Sequence, residues 1–173
     1  MDILVVVLRL VHIVGGCLWV GFAVFVAFYL APAVQDAGPD GGKVMGALQR
    51  RGILTVLPLL AALTLLSGIW LFWRVSGGQV HAFMASGVGM TLGLGALSAI
   101  VAYVLGMTIM RPSMMKAMAA MQSMANASTP EERESLMQTG ARYRARGAVA
   151  GRVVAVLLIL ATAAMAVARY ITL

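Results

Sequence analysis

The chain has 173 residues, 61% of them hydrophobic and only 11% charged, and its mean hydropathy is +0.94. A water-soluble domain needs about a quarter of its residues charged to cover its surface, so this composition excludes an ordinary soluble enzyme and points to an integral membrane protein. The net charge of +7 would suggest nucleic acid in a soluble chain, but here it is read as loop charge that orients the protein, and nucleic acid is not expected as a partner.

A bilayer span takes about 20 apolar residues, and uncharged stretches locate four of them. The first lies at about 3–31, interrupted only by Arg9. It reads as a retained span, because it is long, begins with Met1-Asp2 and has no small-x-small cleavage pattern before Pro32. A polar, turn-rich loop follows over 32–51. The second span is expected at about 52–73 and is closed by Arg74, after which Ser76-Gly77-Gly78 makes a very short turn. The third is expected at about 79–110, longer than a span needs. Residues 111–149 are polar but still helical in pattern. Thr129-Pro130-Glu131-Glu132 has an N-cap threonine, a proline at the first helical position and a glutamate at the third. The outgoing arm therefore runs past Arg111, turns near Asn126–Ser128 and returns as a helix into a fourth span at about 150–170. Pro112 is a candidate kink.

The fold expected is all-α: one integral membrane four-helix bundle with a helical hairpin between the third and fourth spans. Lys43, Arg50, Arg51, Arg111, Lys116, Arg133, Arg142, Arg144, Arg146 and Arg152 fall on one side, whereas only Arg9, Arg74 and Arg169 fall on the other. By the positive-inside rule the hairpin is cytoplasmic and both termini are outside, periplasmic if the membrane is a bacterial inner membrane. The lone Cys17 leaves no internal disulfide and no cysteine-cluster metal site.

Ionisable groups inside a span are expensive and are retained for function. The only two histidines, His12 and His81, both fall in expected spans that run parallel from the outer face. Two imidazoles on facing helices of an apolar bundle suit a b-type haem, which needs neutral nitrogen ligands, a dry slot and cations for its propionates. Arg9, three residues before His12, and Arg74 are the candidate propionate partners, and Trp19 is a candidate ring neighbour. Glycines on the first and third helices serve helix packing or close approach of a macrocycle.

A second candidate is the methionine row Met107, Met110, Met114, Met118 and Met121, whose spacing makes a stripe on one helical face. Thioethers favour Cu(I), so copper transport or handling is the alternative function. The same spacing also suits a packed hairpin seam against Leu136 and Met137. The carboxylates lie in loops, at the terminus or at a helix start, and Arg142, Arg144, Arg146 and Arg152 suit an anchor at lipid headgroups.

His12-x6-Trp19-Val20-Gly21, Leu65-Leu66-Ser67-Gly68-Ile69-Trp70-Leu71 and Val80-His81-Ala82-Phe83 resemble, in order and spacing, motifs of the superfamily that joins copper resistance protein D to the bacterial membrane-embedded protoporphyrinogen oxidase. The resemblance covers about residues 5–110 and implies a four-helix membrane protein in which His12 and His81 are the haem- or porphyrin-site histidines. Phe83 stands where the oxidase carries a lysine, and its arginine and asparagine-glutamate motif after the third helix has no counterpart. Porphyrinogen oxidation is therefore not what the resemblance implies here, whereas haem binding needs only the histidines.

The function expected is haem b binding for electron transfer or small redox chemistry near the outer face; as an enzyme it would be a haem-dependent oxidoreductase. Membrane lipids and a redox partner are the partners such a protein requires. An accessory subunit of a larger membrane complex is a third reading, and a homo-oligomer is left open.

Overall fold

The computed structural model describes residues 2–171 and is helical throughout, with no strand among them. Six helices follow in chain order: α1 (Ile3–Asp36), α2 (Pro39–Arg50), α3 (Ile53–Val75), α4 (Val80–Met84), α5 (Gly87–Met124) and α6 (Pro130–Tyr170). Four of them, α1, α3, α5 and α6, are long and apolar enough to cross a membrane. Large apolar side chains such as Leu10, Leu18, Leu59, Leu66, Leu94 and Leu160 are more than half exposed on these helices. A surface of that kind is at home in hydrocarbon and not in water, and the protein is an integral membrane protein.

Lipid removes the hydrophobic force between helices, so close backbone approach must hold the bundle together. Two antiparallel pairs do this. In the first, α1 lies against α3: an added Cβ at Gly15 would stand 2.5 Å from Thr64 Oγ1, and one at Gly68 would stand 2.6 Å from His12 Cε1. In the second, α5 lies against α6: a Cβ at Gly95 would stand 3.1 Å from the Ala161 carbonyl oxygen, and one at Gly147 would stand 3.5 Å from Ser113 Cβ. The pairs meet in a core of Trp19, Ala61, Ala99, Ala102, Val154, Leu158 and Ala161. Most of these residues are alanines, which allow the four backbones to converge.

The hairpin forms where Thr129 begins α6. Its Oγ1 accepts from Glu132 N at 3.1 Å, and Glu132 Oε2 accepts from Ser128 N at 2.9 Å. From there α6 runs unbroken through the fourth span. Thr129→Ala is expected to weaken this start by about 1 kcal/mol, measured as faster amide exchange in the first turns of α6 with no change in the bundle's melting temperature.

Four sequence expectations need correction. The polar loop over 32–51 is largely helix: α1 continues to Asp36, and α2 starts at Pro39 and closes near Arg50. Those start and stop residues are ordinary helix signals, masked by Gly41-Gly42. The third span is broken, because Ser86 caps a new helix by accepting from Gly89 N at 3.1 Å, leaving the five-residue α4 separate. Met110 and Met114 do pack on the returning arm, but at Gly151 and Gly147 and not at Met137. Ser113, Ala117 and Ala120 are the buried residues of the outgoing arm, Gly140 and Gly147 those facing them, and Met137 is 51% exposed. Small residues win because the arms come too close for larger ones. Finally, in place of a simple kink at Pro112, a π turn at Gly106–Met110 ends two residues before it; another at Val26–Leu30 ends two residues before Pro32. In these turns Arg111 N bonds to Gly106 O and Ala31 N to Val26 O. The wider turn accommodates prolines that have no N–H to donate.

Candidate functional site

His12 lies on the α1 face that packs against α3 and is half-buried. Its Nδ1 is 2.8 Å from the Thr64 carbonyl oxygen. A carbonyl can only accept, so Nδ1 carries the hydrogen and donates it, and in the neutral ring Nε2 keeps its lone pair. Among the described residues Nε2 has no hydrogen-bond partner. Glycine at 68 makes this possible, since a Cβ there would stand 2.9 Å from Nδ1. Thr64 and Gly68 are therefore positioning residues that sequence reading did not single out, although Ser67-Gly68 stood in the second-helix motif. The side chains of Thr64 and Ser67 are turned onto α3 itself, bonding Leu60 O at 2.9 Å and Leu63 O at 2.7 Å.

The remaining candidates lie around the same end or further along the bundle. His81 is exposed on α4, which is held to α3 by the edge-on contact of Phe83 with Phe72, centroids 5.5 Å apart. Chain connectivity places α4 at the end where α1 begins and α3 finishes. No hydrogen bond or ion pair among the described residues joins the two histidines. Arg9 is exposed one turn before the half-buried His12 on the same face of α1. Arg74 is also exposed and makes a 3.4 Å ion pair with Asp2, tying the start of α1 to the end of α3. Trp19 is 9% exposed and meets Tyr103 edge-on at 6.4 Å. It lies about 10 Å beyond His12 along α1, in the core.

Trp19 and three of the five candidate methionines, Met107, Met110 and Met114, line a second feature, a cavity of about 120 Å³ between α1, α2, α3, α5 and α6. Its wall is almost wholly apolar and includes residues of both π turns. Arg111 also lines it, and its Nε is buried with no hydrogen-bond partner. Met118 is half-buried, and Met121 lies beside α2, where a Cβ at Gly42 would stand 2.5 Å from its Cε. No three His, Cys, Asp or Glu side chains converge among the described residues.

These features define a class: a four-helix integral membrane protein with an oriented imidazole in one span and a separate apolar cavity towards the far end. No protein family, curated protein or solved structure matches the chain.

Proposed function

We propose that the protein binds haem b and serves electron transfer or small redox chemistry near the membrane face at which α1 begins, with His12 as an axial ligand. The 2.8 Å bond from His12 Nδ1 to the Thr64 carbonyl carries the reading. Metal-ligating histidines typically donate the other ring N–H to such an acceptor, which fixes the tautomer and raises the basicity of the ligating nitrogen. The donor chemistry thus fits haem iron.

His81, at the same end, would supply a second imidazole to hold the group. Arg9 and Arg74, both exposed at that end, provide cations for propionates. Haem, when bound, would supply one-electron exchange or small-ligand chemistry at its iron. The chain's own part is to hold the ring through the Nδ1 bond to Thr64 and so to orient Nε2. The ten-to-three division of Lys and Arg supports an orientation with this end and both termini periplasmic in a bacterial inner membrane and the hairpin cytoplasmic.

Purification in mild detergent, with haemin reconstitution, tests the proposal. A Soret band that is lost in His12→Ala is the expected result; a colourless protein, or a band unchanged by that substitution, overturns it. His81→Ala separates the two ligation states, shifting the spectrum from low spin to high spin only if both imidazoles ligate. Cu(I) handling is the weaker reading: Met107, Met110 and Met114 do share a cavity, but the fixed positive charge of Arg111 in its wall opposes a cation there. Met110→Leu with Met114→Leu is expected to leave Cu(I) retention unchanged and stability within about 1.5 kcal/mol, read by metal analysis and thermal unfolding.

A further inference from the structure

The cavity lined by Trp19, Leu57, Tyr103, Met107, Met110 and Arg111 plays no part in the haem proposal and has a chemistry of its own. The cavity is open on one side, with about 120 Å³ of space between almost wholly apolar walls, so a hydrocarbon chain entering from the bilayer meets apolar atoms along its length. One polar group breaks the apolar wall. Arg111 has a buried Nε with no partner among the described residues. A cation partly withdrawn from water is costly unless an acceptor meets it. Of the chain's six carboxylates, Asp2 pairs with Arg74 and Asp40 with Lys43, Glu131, Glu132 and Glu134 sit at the hairpin tip, and Asp36 is exposed at the end of α1 with no ion pair to Arg111 among the described residues.

We propose that this cavity binds an anionic amphiphile, its hydrocarbon tail lying against Trp19, Tyr103 and Leu57 and its acidic headgroup held by the Arg111 guanidinium. Three observations support the geometry. Arg111 follows the π turn of α5 directly and lines the cavity beside Gly106, Met107 and Met110 of that turn. The tail end lies among core residues such as Ala61 and Ala102, which are 2% and 0% exposed. The guanidinium fork also matches a carboxylate or phosphate in two parallel hydrogen bonds. Arg111 stands at the end of the bundle that carries most of the chain's Lys and Arg, where an anionic lipid headgroup would lie. A phospholipid phosphate and a free fatty-acid carboxylate share this chemistry.

Native mass spectrometry of the detergent-purified full chain tests it with matched ligands: palmitate against hexadecanol, and phosphatidylglycerol against diacylglycerol. Each anionic member is expected to bind at least about tenfold more tightly than its neutral partner. That gap should close in Arg111→Gln, persist in Arg111→Lys and be unaffected by Arg142→Gln on the exposed hairpin arm. Stronger binding of phosphatidylglycerol than of palmitate identifies a membrane lipid as the source, and the reverse order a free acid; either supports the site. Equal binding of charged and neutral partners by the unmodified protein, which needs no variant to fold, overturns it. So does a gap that survives Arg111→Gln.

Discussion

Gly68→Ala is expected to destabilise the bundle by about 2 kcal/mol and to release the His12 ring from its hydrogen bond. The added methyl would stand 2.6 Å from Cε1 and 2.9 Å from Nδ1 of His12, well inside contact distance, so the ring must swing or α1 must move away from α3. Overpacking of this kind costs about 1–3 kcal/mol, and the lost Nδ1–H···O bond contributes about 1 kcal/mol of its own. Gly16→Ala is the control, because its methyl would meet only Thr64 Cγ2 at 3.7 Å, an ordinary contact. Unfolding in detergent measures the first effect. Nitrogen NMR of the imidazole measures the second, since a single Nδ1–H tautomer should give way to a mixture. If Gly68→Ala unfolds like the unmodified protein and keeps one tautomer, the close packing of His12 on α3 is wrong.

Gly95→Leu is expected to cost about 3 kcal/mol by forcing α5 and α6 apart, the upper range for an overpacked site. Even the first added carbon would be pinned between the Ala161 carbonyl oxygen at 3.1 Å and Ala164 Cβ at 3.2 Å. Neither can yield as the far end of a flexible side chain would, because one is backbone and the other is fixed directly to it. The next atom met is Met165 Cγ at 3.5 Å, and Ala161 behind the site is only 4% exposed. Gly21→Ala, with nothing within 4 Å of its added carbon, should instead be neutral or stabilising by up to about 1 kcal/mol through helix propensity. Thermal unfolding followed by circular dichroism separates the two. Equal melting temperatures for Gly95→Leu and Gly21→Ala would contradict the α5–α6 packing.

The four spans and the hairpin were legible because hydropathy and capping are local properties. A run without charge in a chain of this composition has nowhere stable to go but hydrocarbon, where a helix satisfies its own backbone. Thr129, Pro130 and Glu132 mark a helix start within four residues. His12 and His81 were visible by their rarity. The π turns left a fainter trace in Pro112, which sequence reading takes as a kink, and in Pro32, which it takes as the start of a loop.

What the sequence by itself determined is therefore the number of helices that suit a bilayer, the hairpin and its turn, and the short list of groups that cost most to place in lipid. Only the tertiary structure decided what those groups touch. The lone-pair nitrogen of His12 depends on a carbonyl 52 residues away, reached because Gly68 lacks a side chain. The seam of the hairpin depends on Gly140 and Gly147 facing Ser113 and Ala120 across it. Arg111, counted in the sequence as one more topology charge, stands in the wall of an apolar cavity with its Nε unpartnered. The physical reason is common to all three. Composition and periodicity are summed along one strand of chain, whereas burial, hydrogen bonding and cavity lining arise from pairs of helices whose register no single segment encodes.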